Sequence, residues 1–294
     1  MQVSALVEAL PHVQRWAGRT VVIKYGGAAM TSPELAAAVT QDLVLLRAVG
    51  VRVVLVHGGG NAVSEMARKL GIEPRFIDGL RVTDEETMRV AQLVQVGGIS
   101  RDIVADIGRR GGRAISLSGH DGGGWLRATP RKHRSRESGD HVDLGRVGDM
   151  TSVDARLIRG VLKARLIPVV APVAVDDSMA SLNVNADAVA TAVAAELGAD
   201  KLIFLTDVDG IRGPDGVVRS EVSAAELRAW MADGTVSGGM IPKAEACLAA
   251  VDSGVALVTV ADGRVLHAPL IELLTDKGVG TMVVPDPKTQ AVTG

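Results

Sequence analysis

Six runs rich in Val, Ile and Leu, at 20–24, 51–56, 114–117, 166–173, 201–206 and 256–261, are separated in most cases by longer Ala- and Leu-rich stretches with helical spacing. A strand buried on both faces reads as a continuous apolar run, so this alternation predicts a mainly parallel sheet covered by helices on each side. The covering helices are expected at 33–49, 61–70, 84–110, 151–164, 186–198, 223–232 and 243–253. Between 118 and 150 the pattern shifts to Gly, charged and polar residues, and the weak alternation there predicts hairpins rather than buried strands. Only 2% of the chain is aromatic, so the core has to rest on Ala, Val, Leu and Ile.

The first segment, Met1 to Trp16, places Val3, Leu6, Val7, Leu10 and Val13 at helical spacing, and Pro11 is expected to bend or end that helix. A formal net charge of −2 argues against a nucleic-acid partner, whose affinity needs concentrated Lys and Arg. No apolar run approaches the ~20 residues of a membrane span, so no membrane role is expected. The N-terminus lacks the uninterrupted apolar core of a secretory signal. Cys247 is the single cysteine, which excludes an internal disulfide and suits a reducing cytoplasm. The stretch containing Arg127, Arg131, Lys132, His133, Arg134 and Arg136 is basic without interleaved aromatics, which describes a solvated hairpin edge.

In open parallel sheets ligands bind beyond the carboxyl ends of the strands. The first run ends on Lys24, Gly26 and Gly27, and the second on Gly58, Gly59 and Gly60. Glycines after a strand let backbone N–H groups approach an anion, and the helix that follows points its positive end the same way. Either cluster alone also describes a tight turn. Asn183, Asn185 and Asp187 alternate before an Ala-rich helix, so in an extended segment all three would face one side. Asp187 alone also suits the helix first turn. Asp207 and Asp209 either shape the turn before Gly210 or contact a nucleotide or metal. Lys243 follows Gly238-Gly239 at a helix start, where a cation is unfavourable unless an anion is shared. Two lysines, several glycine amides and a fixed carboxylate are the equipment of phosphoryl transfer. The P-loop, protein-kinase and dinucleotide signatures are absent.

At these residues the chain resembles the amino-acid kinase family. The carriers are VVIKYGGAAM (21–30), VLVHGGG (54–60), GLRVTDEETM (79–88), SLSGHDGG (116–123), GRVGDM (145–150), NVNAD (183–187), LTDVDGI (205–211) and GGMIPKAEACL (238–248), in order through nearly the whole chain. The resemblance implies an α/β fold, a three-layer α/β/α sandwich with a central, mainly parallel sheet. It implies an oligomerisation helix at 1–17 and one kinase domain at 18–294, with an N-lobe (about 18–176) for an acyl amino acid and a C-lobe (about 177–294) for the nucleotide. The implied reaction is ATP-dependent phosphorylation of the side-chain carboxylate of N-acetyl-L-glutamate in arginine biosynthesis, with Mg2+ accompanying ATP and no metal ligand assigned.

By the same resemblance Lys24 and Lys243 would stabilise the transition state and Asp187 would hold both lysines. Gly59, Gly60, Arg81 and Asn183 would bind the acceptor, and Gly26, Gly27, Asp207, Gly210, Ile211, Gly239 and Lys243 would face the nucleotide. Arginine-inhibited members interlace dimers into a hexamer through an N-terminal helix and carry a C-terminal signature like the segment with His267, Glu272 and Gly280. Arginine is therefore an expected inhibitor, a hexamer (a trimer of dimers) the expected assembly, and a PII-type regulator a possible partner. Ala28, Gln95, Ser100 and His120 depart from the family pattern on the acceptor side. The competing readings are a related kinase for another acidic amino acid or a carrier-linked glutamate or aminoadipate, with the basic stretch guiding an acidic carrier, and a non-catalytic amino-acid sensor.

Overall fold

The computed structural model describes residues 3–30, 32–135 and 138–286. In chain order the elements are α1 (Val3–Trp16), β1 (Thr20–Tyr25), α2 (Pro33–Ala48), β2 (Arg52–His57), α3 (Gly60–Lys69), β3 (Phe76–Ile77), β4 (Leu80–Arg81), α4 (Glu85–Gln92), α5 (Ser100–Arg109), β5 (Ala114–Leu117), β6 (Leu126–Pro130), β7 (His133–Arg134), β8 (His141–Val142) and β9 (Val147–Val153). Then follow α6 (Ala155–Lys163), β10 (Ile167–Val170), β11 (Val173–Val175), β12 (Ser181–Val184), α7 (Ala186–Leu197), β13 (Lys201–Thr206), β14 (Glu221–Ser223), α8 (Ala224–Ala232), α9 (Ile241–Asp252), β15 (Val258–Asp262), α10 (Ala268–Leu274) and β16 (Gly280–Val284).

Eight strands form one sheet in the order β14-β16-β15-β13-β1-β2-β10-β5. Every pairing in it is parallel except β15 with β16. Successive side chains of a strand leave on opposite faces, and both faces here are apolar. Val22, Val54 and Leu202 join the core beneath α6, α7, α8 and α9. Val21, Ile23, Val53 and Ile203 join the core under α2, α5 and α10. The continuous apolar runs therefore mark strands covered twice, and the molecule is a three-layer α/β/α sandwich.

Local chemistry fixes the helix ends. Ser32 caps α2 through its hydroxyl on the Leu35 amide with Pro33 in the first turn, and Ser223 and Glu226 form a reciprocal capping box on α8. The long helix expected at 84–110 runs as α4 and α5 joined by a wider π turn over Leu93–Ile99.

Two expectations change and a third narrows. The helix expected from 151 begins only at Ala155, because β9 continues to Val153 and Asp154 caps the helix from the Arg156 amide. The run 166–173 divides at Ala171-Pro172, where proline supplies no N–H; β10 stays in the main sheet and β11 turns into a closed four-stranded unit with β12, β9 and β6. Of the two outcomes expected at Pro11, a bend or an end, the end is excluded, since the helix runs to Trp16. Proline removes only one helical hydrogen bond, and burial of Trp16 in the main core anchors the last turn. The hairpins expected between 118 and 150 are present as β6 with β9 and β7 with β8.

Candidate active site

Lys24 stands one residue from the end of β1, between β13 and β2. A side chain at Gly26 would place Cβ 2.9 Å from the Lys24 ammonium, so glycine there leaves the space that the charge fills. Gly27 takes a φ of 64° to turn the chain away. The ammonium lies 3.0 Å from Asp187 Oδ1, a contact of opposite charges rather than a well-aligned hydrogen bond.

Asp187 is set in the first turn of α7, where its charge suits the helix dipole. The expected alternation of Asn183, Asn185 and Asp187 along one strand face stops at Val184. Asn185 is the N-cap, its side-chain oxygen accepting from the Asp187 and Ala188 amides.

On the neighbouring strand, β13 ends at Thr206 and delivers Asp207. The Thr206 hydroxyl donates to Asp207 Oδ1 at 3.0 Å, and this bond, backed by the Asp207 amide and Lys243, holds the carboxyl below its ordinary pKa. Lys243 reaches the same oxygen at 3.5 Å from the first turn of α9, so the anion that a cation at a helix start requires is Asp207. Asp187 contacts Lys24, while Lys243 is paired with Asp207. Asp187 nevertheless faces α9 one turn further on: burial, then the Asp187 charge, pushes the Cys247 thiol up.

Gly210 and Ile211 support this turn from beneath. Gly210 has a φ of 139°, and a Cβ would meet Val218 and the Thr281 hydroxyl at 2.6 and 2.7 Å. Ile211 is fully buried and its N–H donates to Thr281 Oγ1 at 2.7 Å, so its side chain offers no surface to a ligand. Gly239 is open, with nothing near the position of a Cβ.

A second cluster of polar groups lies past β2. Gly59 precedes α3 with no side-chain cap, and a Cβ there would sit 2.8 Å from Ile99 and 3.2 Å from Gln95. Arg81 Nη2 donates to the Gly60 carbonyl at 2.6 Å and to Ser64 Oγ at 2.7 Å, with the guanidinium 4.7 Å from the centre of the Phe76 ring. Its Nη1 is buried with no partner among the described residues, and burial pulls its pKa down. Asn183 donates to Thr83 Oγ1 at 3.2 Å, and that hydroxyl donates to the Arg81 carbonyl at 3.0 Å. Buried Thr83 thus ties Asn183 to Arg81. Sequence reasoning assigned no role to Thr83 or Ser64, although Thr83 lies inside the GLRVTDEETM segment.

Gln95 is buried, with its side-chain oxygen unpartnered among the described residues, beside Gly59. Ser100 donates its hydroxyl to His57 Nε2 at 2.6 Å, while His57 Nδ1 donates to the Gly58 carbonyl at 2.6 Å. Burial pushes His57 down to about 4, so near neutrality it is an uncharged brace under the Gly58 turn. His120 meets Ser181 at 3.3 Å. The side chain of Ala28 lies outside the described residues.

The C-terminal candidates lie on the α10 side of the sheet. His267 Nδ1 lies 2.6 Å from the buried Asp42, whose carboxyl is raised to about 6 by burial despite that contact. Glu272, expected to meet a guanidinium, already accepts from Lys201 at 2.7 Å, Thr259 at 3.0 Å and the Val279 amide at 3.1 Å. Gly280 is required by packing, since a Cβ would lie 1.9 Å from the Val260 carbonyl. In the basic stretch Arg127 donates to the carbonyls of Gly124 and Asp176, Arg131 pairs with Asp149, and His133 meets Asp78; Arg136 lies outside the described residues.

One lysine near the carboxyl end of β1 and another in the first turn of α9, the second paired with the aspartate that follows the adjacent parallel strand β13, together with glycine turns, define a phosphoryl-handling α/β protein. The sequence model of the amino acid kinase family matches residues 19–262, and the chain belongs to that family. It is 50% identical over 285 residues to the acetylglutamate kinase of Symbiobacterium thermophilum, covering 96% of this chain and 97% of that one. It is 46% identical to the acetylglutamate kinase of Novosphingobium aromaticivorans, covering 95% and 94%. Among solved structures, N-acetylglutamate synthase from Neisseria gonorrhoeae, complexed with coenzyme A and N-acetyl-glutamate, aligns with a TM-score of 0.83 at 26% identity, over 98% of this chain and 64% of that longer one. Giardia carbamate kinase shares the fold, with a TM-score of 0.66 at 17% identity, over 92% of this chain and 100% of that one.

Proposed function

We propose that the chain transfers the terminal phosphoryl group of ATP to the side-chain carboxylate of N-acetyl-L-glutamate, giving an acyl phosphate. The observation that carries this reading is that Lys24 near the end of β1 is held by Asp187, while Lys243 at the start of α9 is held by Asp207 just past the adjacent strand β13. Phosphoryl transfer needs positioned charge more than covalent chemistry. The acceptor is already ionised, so no general base is needed, in keeping with a His57 that is buried and uncharged.

Lys24 and Lys243 neutralise charge on the transferring group, and Asp187 and Asp207 hold the ammonium groups in place beforehand. Among the described residues no three His, Cys, Asp or Glu side chains gather to hold a metal. When bound on the nucleotide, Mg2+ would neutralise phosphate charge, and Asp207, paired with Lys243, is the carboxylate placed toward that side. Gly210 and Gly239 from the C-terminal half, with Gly26 and Gly27 from the end of β1, shape the nucleotide side, and the acceptor side lies in the N-terminal half. Its α-carboxylate meets Arg81, whose free Nη1 supplies the second prong of a bidentate grip, and Gly59, Gly60 and Asn183 take its remaining polar groups. Gln95, next to Gly59, offers an acceptor oxygen for the acetamido N–H.

The test is ATP-dependent acyl-phosphate formation, trapped as hydroxamate, with N-acetylglutamate, glutamate and N-acetyl-aminoadipate compared. Turnover with N-acetylglutamate well above the others is expected; preference for either alternative would overturn the assignment. In the same assay Arg81→Lys should raise the KM for the acceptor about tenfold or more and leave that for ATP nearly unchanged, because lysine keeps the charge without the planar fork. An equal rise for both substrates would move Arg81 elsewhere.

Inhibition by arginine fits the other side of the sheet. The last turn of α1 is fixed by Trp16, over which the Lys201 ammonium lies at 5.8 Å, while Val7 and Leu10 are 63% and 50% exposed and suit a second copy of the chain. Glu272 Oε2 retains a lone pair, and His267 stands at the start of the same helix. A cut before Val13 spares Trp16, so deletion of residues 1–12 should leave catalysis and folding intact, reduce hexamers to dimers and abolish most arginine inhibition. Sedimentation with an arginine titration checks this, and a persistent hexamer with unchanged inhibition would refute it.

A further inference from the structure

A cavity of about 910 Å³ opens at the opposite end of the sheet from the lysines, where β1 and β2 begin at Thr20 and Arg52. Thr20 is four residues from Lys24 on one strand, so the cavity is roughly 13 Å away along β1. Its wall carries Arg47, Arg52, Arg113, Arg159, Lys163 and Arg165, and no Asp or Glu among the described residues. That is a local exception in a chain whose 32 Lys and Arg are outnumbered by 34 Asp and Glu.

Helix C-termini carry partial negative charge, and Arg47 and Lys163 in the last turns of α2 and α6 answer it. The other four are not explained that way. Arg52 opens β2, Arg113 precedes β5, and Arg165 follows α6 with a φ of 60°. Arg159 lies inside α6 and donates to the Glu196 carbonyl at 2.8 Å. Among the described residues none of the six forms an ion pair with a carboxylate, and Arg47 Nε is buried without a partner. Burial, then the charges of Arg165 and Arg52, lowers the pKa of Arg47, so these side chains feel one another's repulsion. An anion in the hollow would relieve it.

Arginine forks match phosphate oxygens two at a time, and a single phosphate would engage only part of this wall. Val44, Leu162 and Leu197 add an apolar portion, and the volume lies in the range of small-molecule sites, ~300–1,000 Å³. We propose that this cavity binds a small ligand bearing a polyphosphate chain, at a site separate from the phosphoryl-transfer centre. Free polyphosphate and a nucleoside polyphosphate share that chemistry; only the second would also cover the apolar residues.

The test is calorimetric titration of inorganic tripolyphosphate into the full chain at low salt, in a parent carrying Lys24→Ala and Lys243→Ala so that the phosphoryl-transfer centre has lost its two cations and no competing nucleotide is present. One-site binding is expected, falling steeply with salt and weakened about tenfold or more in the Arg52→Gln, Arg165→Gln double variant. Guanosine triphosphate binding more tightly than tripolyphosphate would support a nucleotide as the source, and equal affinity would support the phosphate chain alone. Without ligand the variant should melt no lower than the parent, because two like charges are gone. No binding by the parent overturns the proposal. So does a variant that melts lower yet binds tripolyphosphate as tightly, since its arginines would then serve only the fold. Arg113→Gln provides the same comparison on a separate loop.

Discussion

Replacing Lys24 or Lys243 with alanine should lower kcat for acyl-phosphate formation by ~10²–10³, the usual loss when one preorganised electrostatic contact to a developing charge is removed. Folding stability should change far less. Asp187 and Asp207 keep 29% and 60% of their side chains exposed, so water can take over from the missing ammonium. Gly26→Ala separates charge from placement: the added Cβ would sit 2.9 Å from the Lys24 ammonium, at the far end of a flexible side chain that can swing aside. That variant keeps every charge and should still lose much of kcat, because the ammonium is displaced from the end of β1. Saturation kinetics and urea unfolding of the three variants check this together. Near-parental kcat in either lysine variant would remove that lysine from the transition state, and a stability loss matching the rate loss would make its role structural.

The catalytic half of the site was legible because its chemistry is local in sequence. A strand, a lysine, glycines and a helix start follow one another between Val21 and Pro33, and the physics of anion binding reads directly from that order. The sheet was legible for a similar reason: residues as close as Val21 and Val22 face opposite cores, and both are apolar. Competing local hydrogen bonds were harder to see. Asn185 could equally extend a strand or cap a helix, and the two amides of α7 decided for the cap. Long-range contacts were not visible at all. The bond from Asn183 to Thr83 spans 100 positions and the pair of Lys201 with Glu272 spans 71, and no periodicity connects such residues. The C-terminal signature that holds Glu272 gave no sign of Lys201, because that lysine opens a fully buried strand, a place where lysine is rarely found.

That buried pair carries the largest expected effect on stability. Lys201 and Glu272 are 5% and 6% exposed, and the carboxylate is further satisfied by the Thr259 hydroxyl and the Val279 amide. Two charges removed from water offset their desolvation only through each other and through such bonds, so taking away one partner leaves an uncompensated charge in the interior. Lys201→Met should therefore lower the unfolding free energy by ~3–5 kcal/mol, measured by urea denaturation. Pairing it with Glu272→Gln should restore a large part, since a neutral amide can still accept from Thr259 or Val279 without holding a buried charge. The site binds three elements into one unit, because Lys201 starts β13, Glu272 belongs to α10, and the same ammonium lies over Trp16 of α1. Local unfolding of α1 should accordingly rise in Lys201→Met, read as faster amide exchange at Val13 to Trp16 than in the parent. A loss below ~1 kcal/mol in the single variant would mean that water reaches Glu272 and that the pair is no more than a surface contact.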